Sequence, residues 1–162
     1  MEYQFDEEKG IIQDKVTGDR CIIITKARMK QIFSRFSEIF QSGAMVIIAE
    51  ACKVAGERYV AEVPEEKKAD PEVFLKTAVQ RFTDAGLGKI EIVEFNPEAA
   101  EVTFRIWHNF FAEICNEEST YCSCVEGFVS GMYQRIMLKT PKIKKTKCVG
   151  KGDAYCEWHL AP

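Results

Sequence analysis

The placement of cysteine constrains this chain more than any other feature. Seven cysteines stand among 162 residues, and Cys115, Cys122, Cys124, Cys148 and Cys156 all fall in the last third. An odd number cannot pair completely within one chain. In a reducing compartment, clustered thiols bind metal or react more often than they form disulfides. Cys148 and Cys156 flank the turn Gly150-Lys151-Gly152-Asp153, which puts them on the two arms of a hairpin where cross-strand neighbours meet. Cys122 falls where a helix is expected to begin, and the helix dipole there favours the thiolate. Three thiolates arriving from a helix start and a hairpin suit Zn²⁺, which accepts a sulfur-rich tetrahedron with bonds of ~2.3 Å. Cys124, two residues on, and Glu126, one helical turn on, are candidates for the fourth position. His159, three residues past Cys156, points to the opposite face of a strand and is disfavoured. Buried, inert thiols and a Cys148–Cys156 disulfide are the competing readings.

Hydrophobic periodicity gives the rest of the scaffold. Cys21 to Ile24 reads as a short buried strand, and Thr25 can cap the helix that follows. Met29, Ile32, Phe33, Phe36 and Phe40 recur at helical spacing opposite a polar face. A second helix is expected from about Ser42 to Tyr59, with Ala44 to Ala49 apolar all round and so buried on every side. Asp70 as N-cap and Pro71 at the first helical position open a third helix, which Gly86 and Gly88 close. Lys89–Phe95 and Glu101–Trp107 read as a hairpin around Asn96-Pro97, with Val102, Phe104 and Ile106 on one face. A fourth helix runs from Cys122 or Ser123 to Leu138, and its Gly127 and Gly131 suit close helix–helix contact. Two strands end the chain, about Lys142–Val149 and Tyr155–Leu160. Mixed helices and antiparallel hairpins make an α+β domain, an antiparallel sheet with helices packed on it, and no linker splits residues 1–162 into two.

Composition removes several function classes. The formal charge of −3 argues against bulk nucleic-acid binding. The lysines between Lys139 and Lys151 read as a solvated edge strand. No apolar run approaches the ~18 residues of a membrane span. The acidic N-terminus lacks the pattern of a signal peptide, so a cytoplasmic protein is expected. No GxGxxG follows a strand, which leaves a dinucleotide-dependent reductase without its usual fingerprint.

Cys122-Ser-Cys-Val-Glu-Gly127-Phe-Val-Ser-Gly131, followed by Cys148-Val-Gly150-Lys-Gly152-Asp153-Ala-Tyr-Cys156, resembles the C-terminal pattern of the vinyl-4-reductase domain family. The likeness is specific over the last 40 residues and looser upstream, where a Trp-x-Asn segment at Trp107 to Asn109 also fits. The resemblance implies a fold like that of TRAPP trafficking subunits and of haem-nitric-oxide and phenol sensor domains. In those sensors three cysteines and a glutamate hold a structural zinc near an aromatic pocket. It implies metal ligation by Cys122, Cys148 and Cys156. The glutamate would fall at Lys145, which cannot ligate at neutral pH, so Cys124 or Glu126 would have to complete the set. It also implies a hydrophobic small molecule (a hydrocarbon, aromatic or lipid-like compound) in a pocket lined by Phe36, Phe40, Ile47, Trp107, Phe128 and Met132. A homodimer is expected. A vinyl-group reductase and a dimeric assembly module are the alternatives.

Overall fold

A computed structural model describes residues 3–114 and 122–162. The chain begins with a small antiparallel sheet of β1 (Tyr3–Asp6), β2 (Ile11–Asp14) and β3 (Arg20–Cys21). Sequence reading had no element for its first two strands. The expected strand Cys21 to Ile24 shrinks to its first residue. β3 is an edge strand, and the run beyond it becomes an extended link to the next helix, so Ile22 and Ile23 are about four-fifths exposed (79% and 80%) rather than buried.

Caps set the helices. Thr25 Oγ1 accepts the Arg28 amide and starts α1 (Lys26–Phe40). α2 (Gly43–Ala61) follows almost at once. Its first turns bury Ala44 and Ile48 but leave Val46 and Ile47 exposed, because only one side of the helix meets the body. Asp70 Oδ1 accepts the amides of Glu72 and Val73, and Pro71 opens α3 (Pro71–Asp84) as the sequence indicates.

The main sheet contains β4 (Lys89–Asn96) and β5 (Glu101–Trp107). The short α4 (Phe110–Ile114) and the long α5 (Cys122–Met137) then precede β6 (Lys142–Lys147) and β7 (Cys156–Ala161). Strand order is β4-β5-β7-β6, all antiparallel. At the centre Val102 faces Leu160, Phe104 faces Trp158 and Ile106 faces Cys156. All six side chains are buried, as alternation requires of the face that carries the helices. The lysine-rich β6 forms an edge, the expected place for a strand that charge keeps from pairing further.

α5 lies along α2 and also touches α3 and β7. Glycine makes the α2–α5 approach this close. A methyl group at Gly127 or Gly131 would overlap the carbonyl of Ala49 or Lys53, and one at Gly56 would overlap that of Phe128. Cys52 of α2 and Cys124 of α5 form a disulfide across the same seam, with Cα atoms 5.3 Å apart. Among the described residues no helix is long and apolar enough to cross a membrane.

Candidate metal and ligand site

Cys122 is the first residue of α5, Cys148 follows β6 directly, and Cys156 opens β7. All three are buried free thiols whose sulfurs lie within 4.8 Å of one another. The chain between the last two is folded to bring them together. The Cys148 amide donates to Asp153 Oδ2 at 2.7 Å, and the amides of Lys151 and Asp153 donate back to the Cys148 carbonyl at 2.9 and 3.2 Å. Gly152 takes the left-handed φ of 94° that this reversal needs, a conformation that suits glycine. The Val149 amide then donates to Cys156 Sγ at 3.4 Å.

The electrostatics separate the thiols. Cys156 is pushed down to about 6 by its hydrogen bond with Cys122, with the Val149 amide, Asn109 and Cys148 adding to the effect against burial. Cys122 is pushed well above the ordinary thiol range because it is the donor in that pair and is buried. Lys145 lies close by. Burial opposes its charge, but the sulfurs of Cys122 and Cys148 and the Glu126 carboxylate outweigh burial and keep it protonated above its usual range.

The donor set fits a sulfur-bound metal. Bonds of ~2.3 Å from a tetrahedral zinc would set two sulfurs ~3.8 Å apart, and Cys122 and Cys148 stand 3.9 Å apart. Among the described residues the cluster contains these three candidate ligands, Cys122, Cys148 and Cys156. Cys124, the expected fourth, is corrected by the structure, since its sulfur is bonded to Cys52. Two residues of helix subtend ~200°, so Cys122 and Cys124 leave α5 on opposite sides. Glu126 is engaged elsewhere: its Oε1 accepts from Trp158 Nε1 at 3.2 Å and lies 3.5 Å from Lys145 Nζ. The Lys145 side chain is only 17% exposed and sets a positive charge beside the sulfurs where a ligand was expected. His159 lies on the other face of β7, with Nδ1 3.1 Å from Thr103 Oγ1. Cys115 lies outside the described residues.

Two cavities bear on ligand binding. One, of about 750 Å³, lies between the turn after β2 and α3. Its lining is charged and largely self-satisfied: Arg81 pairs with Glu62 at 2.6 Å, and Gln80 donates to Asp84 at 2.8 Å. The other, of about 440 Å³, is apolar and is walled by residues such as Ile12, Ile23, Met29, Leu87, Phe110 and Phe111. Its size is within the ~300–1,000 Å³ usual for small-molecule sites. The free Cys21 thiol also lines it.

The six aromatic and aliphatic residues expected to share one pocket are dispersed. Phe36 and Phe40 stack on each other at 5.9 Å on the open side of α1, and Ile47 is exposed on α2. Phe128 is buried against Phe82 and Tyr59, with ring centroids 5.3 and 5.4 Å away, and Met132 is fully enclosed. Trp107 is on the outer face of the sheet, its ring tilted against Tyr155 with centroids 4.7 Å apart, and it donates to Glu91. Strand alternation puts it opposite the inward-facing Ile106. Sequence reasoning missed Leu87 and the phenylalanines of α4. It noted Asn109 without placing it at the thiol cluster, and nothing in sequence spacing pairs Cys52 with a residue 72 positions away.

The sequence matches no protein-family model and no curated protein sequence. Solved structures do match. The phenol-responsive sensory domain of the transcription activator PoxR, solved with phenol, superposes with a TM-score of 0.81 at 17% identity, over 99% of this chain and 84% of that one. A trafficking protein particle complex subunit 3 from Naegleria fowleri, covalently bound to palmitic acid, gives 0.60 at 10% identity, over 85% of this chain and 96% of that one. A vinyl-4-reductase family protein from Methanocaldococcus jannaschii gives 0.56 at 14% identity, over 86% and 82%. The α+β chain therefore shares the fold of sensory, trafficking and vinyl-4-reductase-type domains.

Proposed function

We propose that this chain is a binding domain for a hydrophobic small molecule, with zinc held by Cys122, Cys148 and Cys156 as a structural clamp. The observation that carries the reading is the apolar cavity of about 440 Å³, whose α4 wall packs on the turn Val149–Lys151 between two of the thiols. Two proteins of the same fold supply support, one solved with phenol and one with palmitic acid. Zinc contributes a crosslink and no redox chemistry. The chain's own residues do the binding: Met29, Leu87, Phe110 and Phe111 remove apolar surface from water at ~25 cal/mol per Å². Lys145 offsets the negative charge that three thiolates leave on a divalent ion. The thiols must stay reduced to take metal.

Titration of the purified chain with alkylphenols, medium-chain fatty acids and linear alkanes tests this reading. Saturable binding by at least one class, lost in the cavity-filling Leu87→Trp variant, is expected. No binding by any class, or the same binding in Leu87→Trp, would refute it.

One observation favours self-association as well. None of the residues of α1 is fully buried, and Ile32, Phe36, Ile39 and Phe40 leave an apolar stripe open beside Val46 and Ile47 of α2. Contiguous apolar surface of this kind marks an interaction face. A second copy of the chain covering that face gives the homodimer expected from the sequence.

A further inference from the structure

Asn109 is fully buried, and its carboxamide is only half used. Its Oδ1 accepts the amides of Phe111 and Ala112 at 3.1 and 3.4 Å and so caps α4. Its Nδ2 is buried with no hydrogen-bond partner of ordinary geometry. That donor lies beside the Cys156 sulfur. α4 also packs on the turn that links Cys148 to Cys156. Phe110 and Phe111 of α4 wall the apolar cavity, and the Phe110 amide is held at 3.1 Å by the carbonyl of Leu87, another wall residue. Thus the atom left unsatisfied faces the thiols, and the atom that is satisfied fixes the cavity wall.

We propose that Asn109 couples the two sites: Nδ2 donates to the Cys156 sulfur when the thiols hold metal, which fixes the carboxamide, its cap on α4 and the aromatic wall of the cavity. The proposal rests on the metal and ligand reading above. A bound metal would hold the Cys156 sulfur at one position, so the buried amide donor that lacks a partner gains a fixed, charged acceptor on loading. Coupling of this kind is reciprocal: a ligand in the cavity raises metal affinity by the same factor.

The test uses the full chain, Co²⁺ as a spectroscopic stand-in for zinc, and 1-anilinonaphthalene-8-sulfonate as the apolar probe. Leu87→Trp and Met29→Trp, which fill the cavity, identify the probe signal that comes from it. Asn109→Asp and Asn109→Ser keep a capping oxygen for α4 and remove the amide donor, one with added charge and one without. In the parent chain, saturating Co²⁺ should raise probe affinity roughly 5-fold or more. In both Asn109 variants Co²⁺ should still give its thiolate charge-transfer band but bind about 10–100-fold more weakly, and probe affinity should no longer respond to metal. Parent-like metal affinity with an intact metal response in the variants would overturn the coupling alone. Absence of the charge-transfer band in the parent chain would overturn the metal reading. Probe binding unchanged in the cavity-filling variants would overturn the cavity reading. Either of the last two results removes the coupling with it.

Discussion

Cys122 and Cys124 stand two residues apart, yet one joins the cluster of three buried thiols and the other crosslinks two helices. Metal content should follow that division. Replacing Cys122, Cys148 or Cys156 by Ser should abolish stoichiometric zinc, whereas Cys124→Ser should retain it, as read by elemental analysis of protein purified without chelator. The meeting of these three thiols was legible because each has a local signal, a helix start or a glycine turn. The role of Cys124 was not, because helix rotation separates neighbours in sequence and its partner comes from a distant element. On the outer face of the sheet, Arg105 donates twice to Glu157 Oε2, at 3.2 and 2.8 Å. Burial raises the Glu157 carboxyl, but Arg105 and Thr146 outweigh burial and hold it below the usual carboxylate range. A depressed carboxyl stabilises the fold above its unfolded value of ~4.3 and loses that contribution as pH falls through its folded value. Glu157→Gln should therefore cost about 1 kcal/mol at pH 7 and flatten the acid limb of stability below about pH 4.3, measured by denaturant unfolding across pH.

The elements themselves were mostly readable. Thr25 and Asp70 cap where their chemistry indicates, and the alternation of Val102, Phe104 and Ile106 gives the buried face of β5. Two readings failed for a shared reason. Apolar runs at Cys21 to Ile24 and Ala44 to Ala49 suggested burial, but an edge strand and a one-sided helix leave Ile22, Ile23, Val46 and Ile47 open. Composition counts apolar residues without saying whether a neighbour arrives to cover them. The glycines of α5 show the opposite case, where a weak sequence signal marks a tight constraint. Gly127→Ala or Gly131→Ala drives a methyl group into a backbone carbonyl of α2, and each should cost about 3 kcal/mol or more, the upper end for overpacking. Chemical denaturation should show a lower midpoint at similar slope. A cost within ±0.5 kcal/mol would mean that the two helices part easily.

At the scale of the whole molecule, a sheet-and-helix body carries a thiol cluster on one side of α4 and an apolar cavity on the other, while α1 and α2 leave an apolar face exposed. That face should close a homodimer. Light scattering should give twice the chain mass for the parent protein and a single chain mass for Phe36→Glu with Ile47→Glu, with little change in monomer stability because neither side chain is buried. A monomeric parent would remove the self-association reading and leave the binding domain intact. The central claim is that this fold encloses a hydrophobic molecule beside a trithiolate metal clamp, and native mass spectrometry of freshly purified protein addresses both halves at once. The account predicts one zinc per chain, lost in Cys156→Ser, together with a retained or readily loaded apolar ligand of no more than one per chain. A chain that carries no metal and takes up no apolar molecule, with Cys122, Cys148 and Cys156 all reduced, would contradict it.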